Sequence, residues 1–330
     1  MEISRHIPDI MRAHGATCTL EEFQSAVNLA FHRFESSVYD QIHGAMWKSL
    51  PAQFELLSQN VIRATPGHAK FRLLDVGCGT GLSSDLLLQT DLGHRVTEVH
   101  LLDTSREMLD HAQRRSRNWT APATTHEGTV EDLPVGEHFH LVLICSVLHH
   151  IPDLGRFFGR VAALQEEGDC LMHLQDPNGD FLKDPTFEER KAMASERAKA
   201  TPPHWLRRLT PSRIIARAKR ELTGTQPESY ITLTNTALLS QGVIRTPMSA
   251  NEIWAVTDIH VHDGLGISVS GLRTLLPAYR LIAAHSYGFF GALASELPPD
   301  LQEMESELSA GGSENGSQCS AAWIKVGLAR

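Results

Sequence analysis

Three glycines at alternate positions, in Leu73-Leu74-Asp75-Val76-Gly77-Cys78-Gly79-Thr80-Gly81, mark where this chain is best equipped to hold a ligand. Without Cβ atoms the backbone can bend sharply there and approach a bound molecule closely. The spacing departs from both common phosphate-binding patterns, because Leu82 holds the late-glycine position and no lysine follows. Asp75, just before the turn, would repel phosphates and suits a cationic ligand with an amine and a sulfonium. Three further segments carry side chains that could act beside it. Asp103 ends Val99-His100-Leu101-Leu102, where a carboxylate either accepts hydrogen bonds from ribose hydroxyls or caps a helix. Thr129 lies in Glu127-Gly128-Thr129-Val130-Glu131-Asp132-Leu133-Pro134, whose acids read as solvated rather than as a catalytic pair. His149 lies in Cys145-Ser146-Val147-Leu148-His149-His150-Ile151-Pro152-Asp153. A neutral imidazole there is a base for a hydroxyl or ammonium proton, or else it packs and caps the next helix.

Taken in order, these segments resemble the class I S-adenosylmethionine (SAM) dependent methyltransferases over residues 70–180. Residues 73–81 are similar to the first motif of that family, and 127–134 to its Gly-Asp-Ala-x-x-Leu-Pro segment. Residues 147–153 look like the V-L-H-H-I-P-D signature of its small-molecule, natural-product and quinone-methylating members. The resemblance implies SAM as cofactor, S-adenosylhomocysteine as product, and a small-molecule acceptor methylated in biosynthesis. It places the donor against Asp75, Gly77, Cys78, Gly79 and Gly81, with Asp103, Thr104 and Met108 around the ribose. Thr129, Val130 and Cys145 complete the donor site. Thr129 departs from the family, which has an Asp accepting the adenine amine; a hydroxyl accepts more weakly. His149 is implied as the catalytic base. Tyr39 resembles a tyrosine that folds over the pocket and, in phosphobase methyltransferases, pairs with a histidine at the position of His149. Packing of its own helix is the alternative. Two other readings stay open: a SAM-consuming cyclase or aminocarboxypropyl transferase releasing methylthioadenosine, and a non-catalytic SAM-fold binding protein.

The elements that must position these residues alternate. Strands are expected at Leu73–Val76, Val99–Leu102, Thr124–Thr129, Phe139–Cys145 and Cys170–Gln175. Helices are expected at Leu82–Leu88, from Ser105 through Ala112, and at Leu154–Leu164. Continuous apolar runs alternating with helices imply a parallel sheet covered on both faces, with ligands at its carboxyl edge. The fold expected is α/β: a Rossmann-like, seven-stranded, mostly parallel sheet with an N-terminal helical cap and an inserted lid. The cap is 1–69, the SAM-binding core 70–181, the mostly helical lid 182–263, and the completion of the sheet 264–330, with a mobile loop at 309–319. Late elements are expected at Glu252–Val261, a helix over Val269–Leu276, and strands near Leu281–Ser286 and at Ala321–Leu328. Before the core, Leu20–Ala64 has helical periodicity, with Pro51 in the first turn of a second helix.

Composition sets the outer limits. The chain has 330 residues, 42% hydrophobic and 21% charged, with net charge −9, which argues against bulk electrostatic binding of nucleic acid. Five scattered cysteines with no C-x-x-C spacing indicate neither a disulfide framework nor a zinc site. No stretch reads as a signal core or membrane span, so a cytoplasmic location is expected. No metal site is assigned, although a strand at Asp258–Asp263 would put His260 and His262 on one face. Residues 183–220 hold 11 Lys/Arg against 4 Asp/Glu. Arg207, Arg208, Arg213, Arg217 and Arg220 there face solvent or receive an anionic acceptor. Trp205 and Trp254 suggest a partly apolar acceptor. A homodimer is compatible with the composition.

Overall fold

A computed structural model describes residues 6–35, 46–200, 229–260, 266–291 and 297–327. Its strands are β1 Phe71–Val76, β2 Val96–Asp103, β3 Ala123–Glu127, β4 Leu141–Cys145, β5 Cys170–Pro177, β6 Tyr279–Tyr287 and β7 Gln318–Lys325. They form one sheet in the order β3-β2-β1-β4-β5-β7-β6. The first five strands pair in parallel, and β7 runs antiparallel to both β5 and β6. The described helices are α1 Ile7–Ala13, α2 Leu20–Glu35, α3 Met46–Ala64, α4 Leu82–Leu88, α5 Arg106–Ser116 and α6 Leu154–Ala163, then α7 Phe187–Ala200, α8 Tyr230–Ser240, α9 Ala250–Thr257, α10 Val269–Leu275 and α11 Pro299–Ala310.

The central strands are largely apolar because both faces are covered, whereas the edge strand β3, Ala123–Glu127, is polar and has no fully buried residue. Leu73, Leu101, Leu141, Leu143 and Met172 face one layer, and their sequence neighbours Leu74, Leu102, Val142, Ile144 and Leu171 face the other. The first layer is covered by α3, whose Leu50, Phe54, Leu57 and Val61 recur at three- and four-residue spacing, together with α4 and α5. The second is covered by Leu154, Phe157, Phe158 and Val161 of α6 and by Leu272 of α10.

A separate apolar core joins helices that precede β1 to helices lying between β5 and β6 in the chain. Ile7, Phe23, Val27 and Phe31 of α1 and α2 pack with Leu238, Ile253 and Val256 of α8 and α9. The helices expected in a cap and in a lid therefore share one core.

Several boundaries differ from expectation. The final strand begins at Gln318, three residues early, and α11 occupies a stretch not assigned as helix. Pro51 lies inside α3, not in its first turn. Residues 258–260 form a turn, not a strand, because Ser249 and Glu252 close a capping box that starts α9 and carries the helix to Thr257. His262 lies outside the described residues. In the glycine-rich stretch after α11, the Asn178 amide donates to the carbonyls of Glu314 and Gly316 at 2.7 and 2.8 Å. Among the described residues no helix is long and apolar enough to cross a membrane.

Candidate functional site

The glycine turn joins β1 to α4 at the carboxyl edge of the sheet. Gly77, Gly79 and Gly81 all adopt left-handed backbone, with φ of 64°, 52° and 79°. Each is glycine for a distinct reason. A Cβ on Gly77 would lie 2.5 Å from Val147, whereas one on Gly79 would meet nothing within 4 Å and project into open space. Asp75, fully buried beneath the turn, accepts hydrogen bonds from the Ser83 and Ser84 hydroxyls, each 2.6 Å, on one carboxylate oxygen. Its other oxygen, Oδ1, is buried with no partner. Burial pushes the Asp75 carboxyl up to about 6, against the pull of the two serines. An unpaired oxygen on a buried acid fits a cationic group better than any neutral one.

Asp103 ends the adjacent strand. Its Oδ2 accepts from the Gly79 N–H at 2.9 Å and its Oδ1 from the Ser105 N–H at 2.8 Å, so the acid fixes the turn and starts α5 at once. A carboxylate offers about four acceptor directions, so these backbone bonds do not exhaust it. Ser105, not Asp103, caps α5. Thr129 donates through N–H and hydroxyl to Asp132 Oδ2 at 2.8 and 2.9 Å. Its hydroxyl proton is committed, so the oxygen lone pairs remain as acceptors.

These parts enclose a cavity of about 790 Å³, within the 300–1,000 Å³ typical of small-ligand sites. Of the expected donor residues, Gly77, Gly79, Asp103, Thr104, Met108, Thr129, Val130 and Cys145 line it. Cys78 lines a small adjoining recess with Ser83. Asp75 and Gly81 line neither; Gly81 begins α4 where a Cβ would press on Ala112 at 3.2 Å.

Two histidines, His32 and His150, stand in the cavity wall. The chain leaves β4 through Ser146, a non-glycine residue at φ 60°. It then forms the short turn that carries His149 and His150. His150 lines the cavity; His149 lies behind it, ring centroids 3.9 Å apart, and is not among the lining residues. His149 Nδ1 bonds Asp176 Oδ1 at 3.0 Å. A bulge in β5 at Gln175 (φ 62°) makes this possible, since it turns both His173 and Asp176 inward. Burial opposes ionisation of Asp176, but His149 and His173 hold its carboxyl below the ordinary value. His150 Nδ1 donates to the Thr257 carbonyl at 2.8 Å, and burial drives its pKa well below that of a free histidine. His149, His150 and Asp258 bring ligand-type atoms within 4.8 Å of one another, but His150 Nδ1 is already spent on Thr257. His260 Nε2 is bonded to the Ile151 carbonyl at 2.6 Å.

Helix α2 supplies a wall that sequence reasoning missed. Gln24, Asn28 and His32, four residues apart, form a polar stripe on the cavity side of this amphipathic helix. That spacing was the available signal. Tyr39, Trp205 and the arginines from Arg207 to Arg220 lie outside the described residues. Trp254 is partly exposed, outside the cavity lining.

Residues 73–168 match the family model described as a methyltransferase domain. Over 103 residues the chain is 35% identical to a ubiquinone biosynthesis O-methyltransferase of Nitrobacter winogradskyi, covering 31% of this chain and 38% of that protein. A protein of the same name from Xanthomonas campestris pv. campestris is 28% identical over 151 residues, 43% of this chain and 60% of the relative. The chain thus spans 38% and 60% of the length of these two curated relatives. Among solved structures, the plantazolicin methyltransferase BpumL in complex with SAH aligns over 93% of this chain and 98% of its own, at 11% identity and a TM-score of 0.44. The DhpI–SAH complex aligns over 47% and 70%, at 20% identity and a TM-score of 0.37. The stretch that carries the glycine turn, Asp103, Thr129 and His149 matches a methyltransferase domain.

Proposed function

We propose that this chain transfers a methyl group from SAM to a small-molecule acceptor. The observation that carries the proposal is the meeting, in one cavity, of Gly77, Gly79, Asp103 and Val130 with His32 and His150. Asp103 would hold the ribose hydroxyls with the acceptor capacity its backbone bonds leave. Val130 and the Thr129 oxygen would border the adenine, and the unpaired oxygen of Asp75 would answer the donor's amino group. SAM supplies an electrophilic methyl carbon on a sulfonium. The chain's own contribution is to align an acceptor with that carbon and exclude water. His149, held by Asp176, is the base that the family resemblance implies, and Tyr39 is proposed to close the site.

Calorimetry with SAM and S-adenosylhomocysteine tests the donor assignment. Asp103→Ala should weaken SAM binding by about 1.5–3 kcal/mol, the worth of hydrogen bonds to a charged group. Equal affinity in the variant would remove Asp103 from the site, and no SAM binding by the parent at millimolar concentration would end the proposal.

A further inference from the structure

Two buried polar atoms on the cavity side of α2 have no hydrogen-bond partner: Asn28 Oδ1 and His32 Nε2. Both residues line the cavity, one helical turn apart. Leaving such groups unpaired is unfavourable, so a pair at one cavity wall points to a bound polar partner. The other His32 nitrogen, Nδ1, is held at 3.1 Å by Glu35 Oε2, and Glu35 is itself buried. A carboxylate on Nδ1 fixes the proton there and leaves Nε2 with a free lone pair. The ring packs edge-on against His150, with centroids 5.0 Å apart. His149 does not line the cavity and His150 has its Nδ1 spent on Thr257, whereas His32 lines the cavity itself.

We propose that His32, oriented by Glu35, is the base that takes the proton directly from the acceptor, and that Asn28 anchors the same acceptor by receiving a second hydrogen bond. The proposal rests on the methyl-transfer reading above and revises only the first proton acceptor. In the step, the acceptor's O–H or N–H bond gives its proton to His32 Nε2. The freed electron pair bonds the methyl carbon, and the carbon–sulfur bond breaks with its pair left on sulfur. The sulfonium becomes a neutral thioether, and the positive charge moves to the imidazolium beside Glu35. The acceptor class is therefore a small molecule with an ionisable hydroxyl or ammonium and a neighbouring donor for Asn28.

Besides Glu35 on its own helix, Asp103 from β2, Asp258 after α9 and His150 after β4 face His32. Burial disfavours the charged ring, but Glu35, with Asp103 and Asp258 farther off, outweighs it and raises the pKa above the ordinary value.

The test is nuclear magnetic resonance on the full chain carrying isotope-labelled histidine, with the His32 signal identified by its loss in His32→Gln or, independently, His32→Asn. The expected neutral ring has its proton on Nδ1 and a bare Nε2, and Glu35→Gln lowers the midpoint of protonation. A neutral ring with its proton on Nε2, or a midpoint indifferent to Glu35→Gln, overturns the proposal. Turnover is then read with SAM and a panel of phenols, catechols and alkylamines. On any acceptor the parent methylates, His32→Asn should cut kcat about 100-fold or more while SAM affinity is kept; retained kcat overturns the assignment. Failure of the parent to bind SAM would sink the methyl-transfer reading instead, and the tautomer would still be measured.

Discussion

At the scale of single residues, Asp75 is a buried acid whose ionisation the fold opposes. With its carboxyl raised from 3.8 to about 6, the folded protein prefers the protonated acid. Its stability contribution is complete below the unfolded value and is lost as pH rises through about 6. Near pH 7 the ionised, unliganded site then costs on the order of 3 kcal/mol, at about 1.4 kcal/mol for each tenfold change in the protonation equilibrium. Asp75→Asn, which keeps an acceptor for Ser83 and Ser84, should therefore be more stable than the parent at neutral pH and equal to it near pH 4. Denaturant unfolding of both proteins at the two pH values reads this; a difference independent of pH would mean that Asp75 is not carrying an uncompensated charge. In binding, the sign reverses. SAM affinity of the parent should fall as pH drops below about 6 and Asp75 gains its proton, while the Asn variant binds weakly throughout.

At the scale of elements, the glycine turn and the loop after β4 are fitted to each other. Gly77→Ala would force a left-handed backbone on an L-residue, worth about 1–2 kcal/mol, and press its methyl into Val147. The expected result is a lower unfolding midpoint and SAM binding weakened at least about tenfold, since both residues line the cavity. Val147→Ala should relieve the clash but not the backbone strain, so the double variant recovers only part of the loss. Strictly additive effects in that cycle would show that the two elements are not coupled. Much of this was legible in the sequence. Leu82–Leu88 has the expected bounds, and the residues at the ends of β1, β2 and β4 meet because parallel strands that are neighbours in the sheet present their carboxyl ends together. The bulge at Gln175 was not legible, because His173 and Asp176 stand three apart and regular strand geometry sends them to opposite faces. His32 was hidden for another reason. A histidine on an amphipathic helix reads as a surface residue until the helix is known to lie over the site, and that placement depends on α8 and α9, some two hundred residues away.

At the scale of the whole molecule, two apolar cores meet across the cavity. The helical unit of α1, α2, α8 and α9 has its own interior, distinct from the two layers on the sheet. Polar ties at the end of β4 link them: Gln24 Nε2 donates to the His150 carbonyl at 2.9 Å, His150 Nδ1 to Thr257, and His260 Nε2 to Ile151. Arg33 and Glu107 add an exposed ion pair at 2.8 Å, of a kind that contributes little. Separate cores joined by a few polar bonds should open separately. Amide exchange is expected to show α2, α8 and α9 opening together, at a lower free energy than β1, β4 and β5. Leu238→Ala, at a fully buried position in the helical core, should remove about 2–5 kcal/mol from that unit alone and leave strand protection unchanged. SAM should protect both, because its cavity has one wall in each. If Leu238→Ala lowers protection in the sheet by the same amount, the two cores are coupled and the molecule unfolds as one unit.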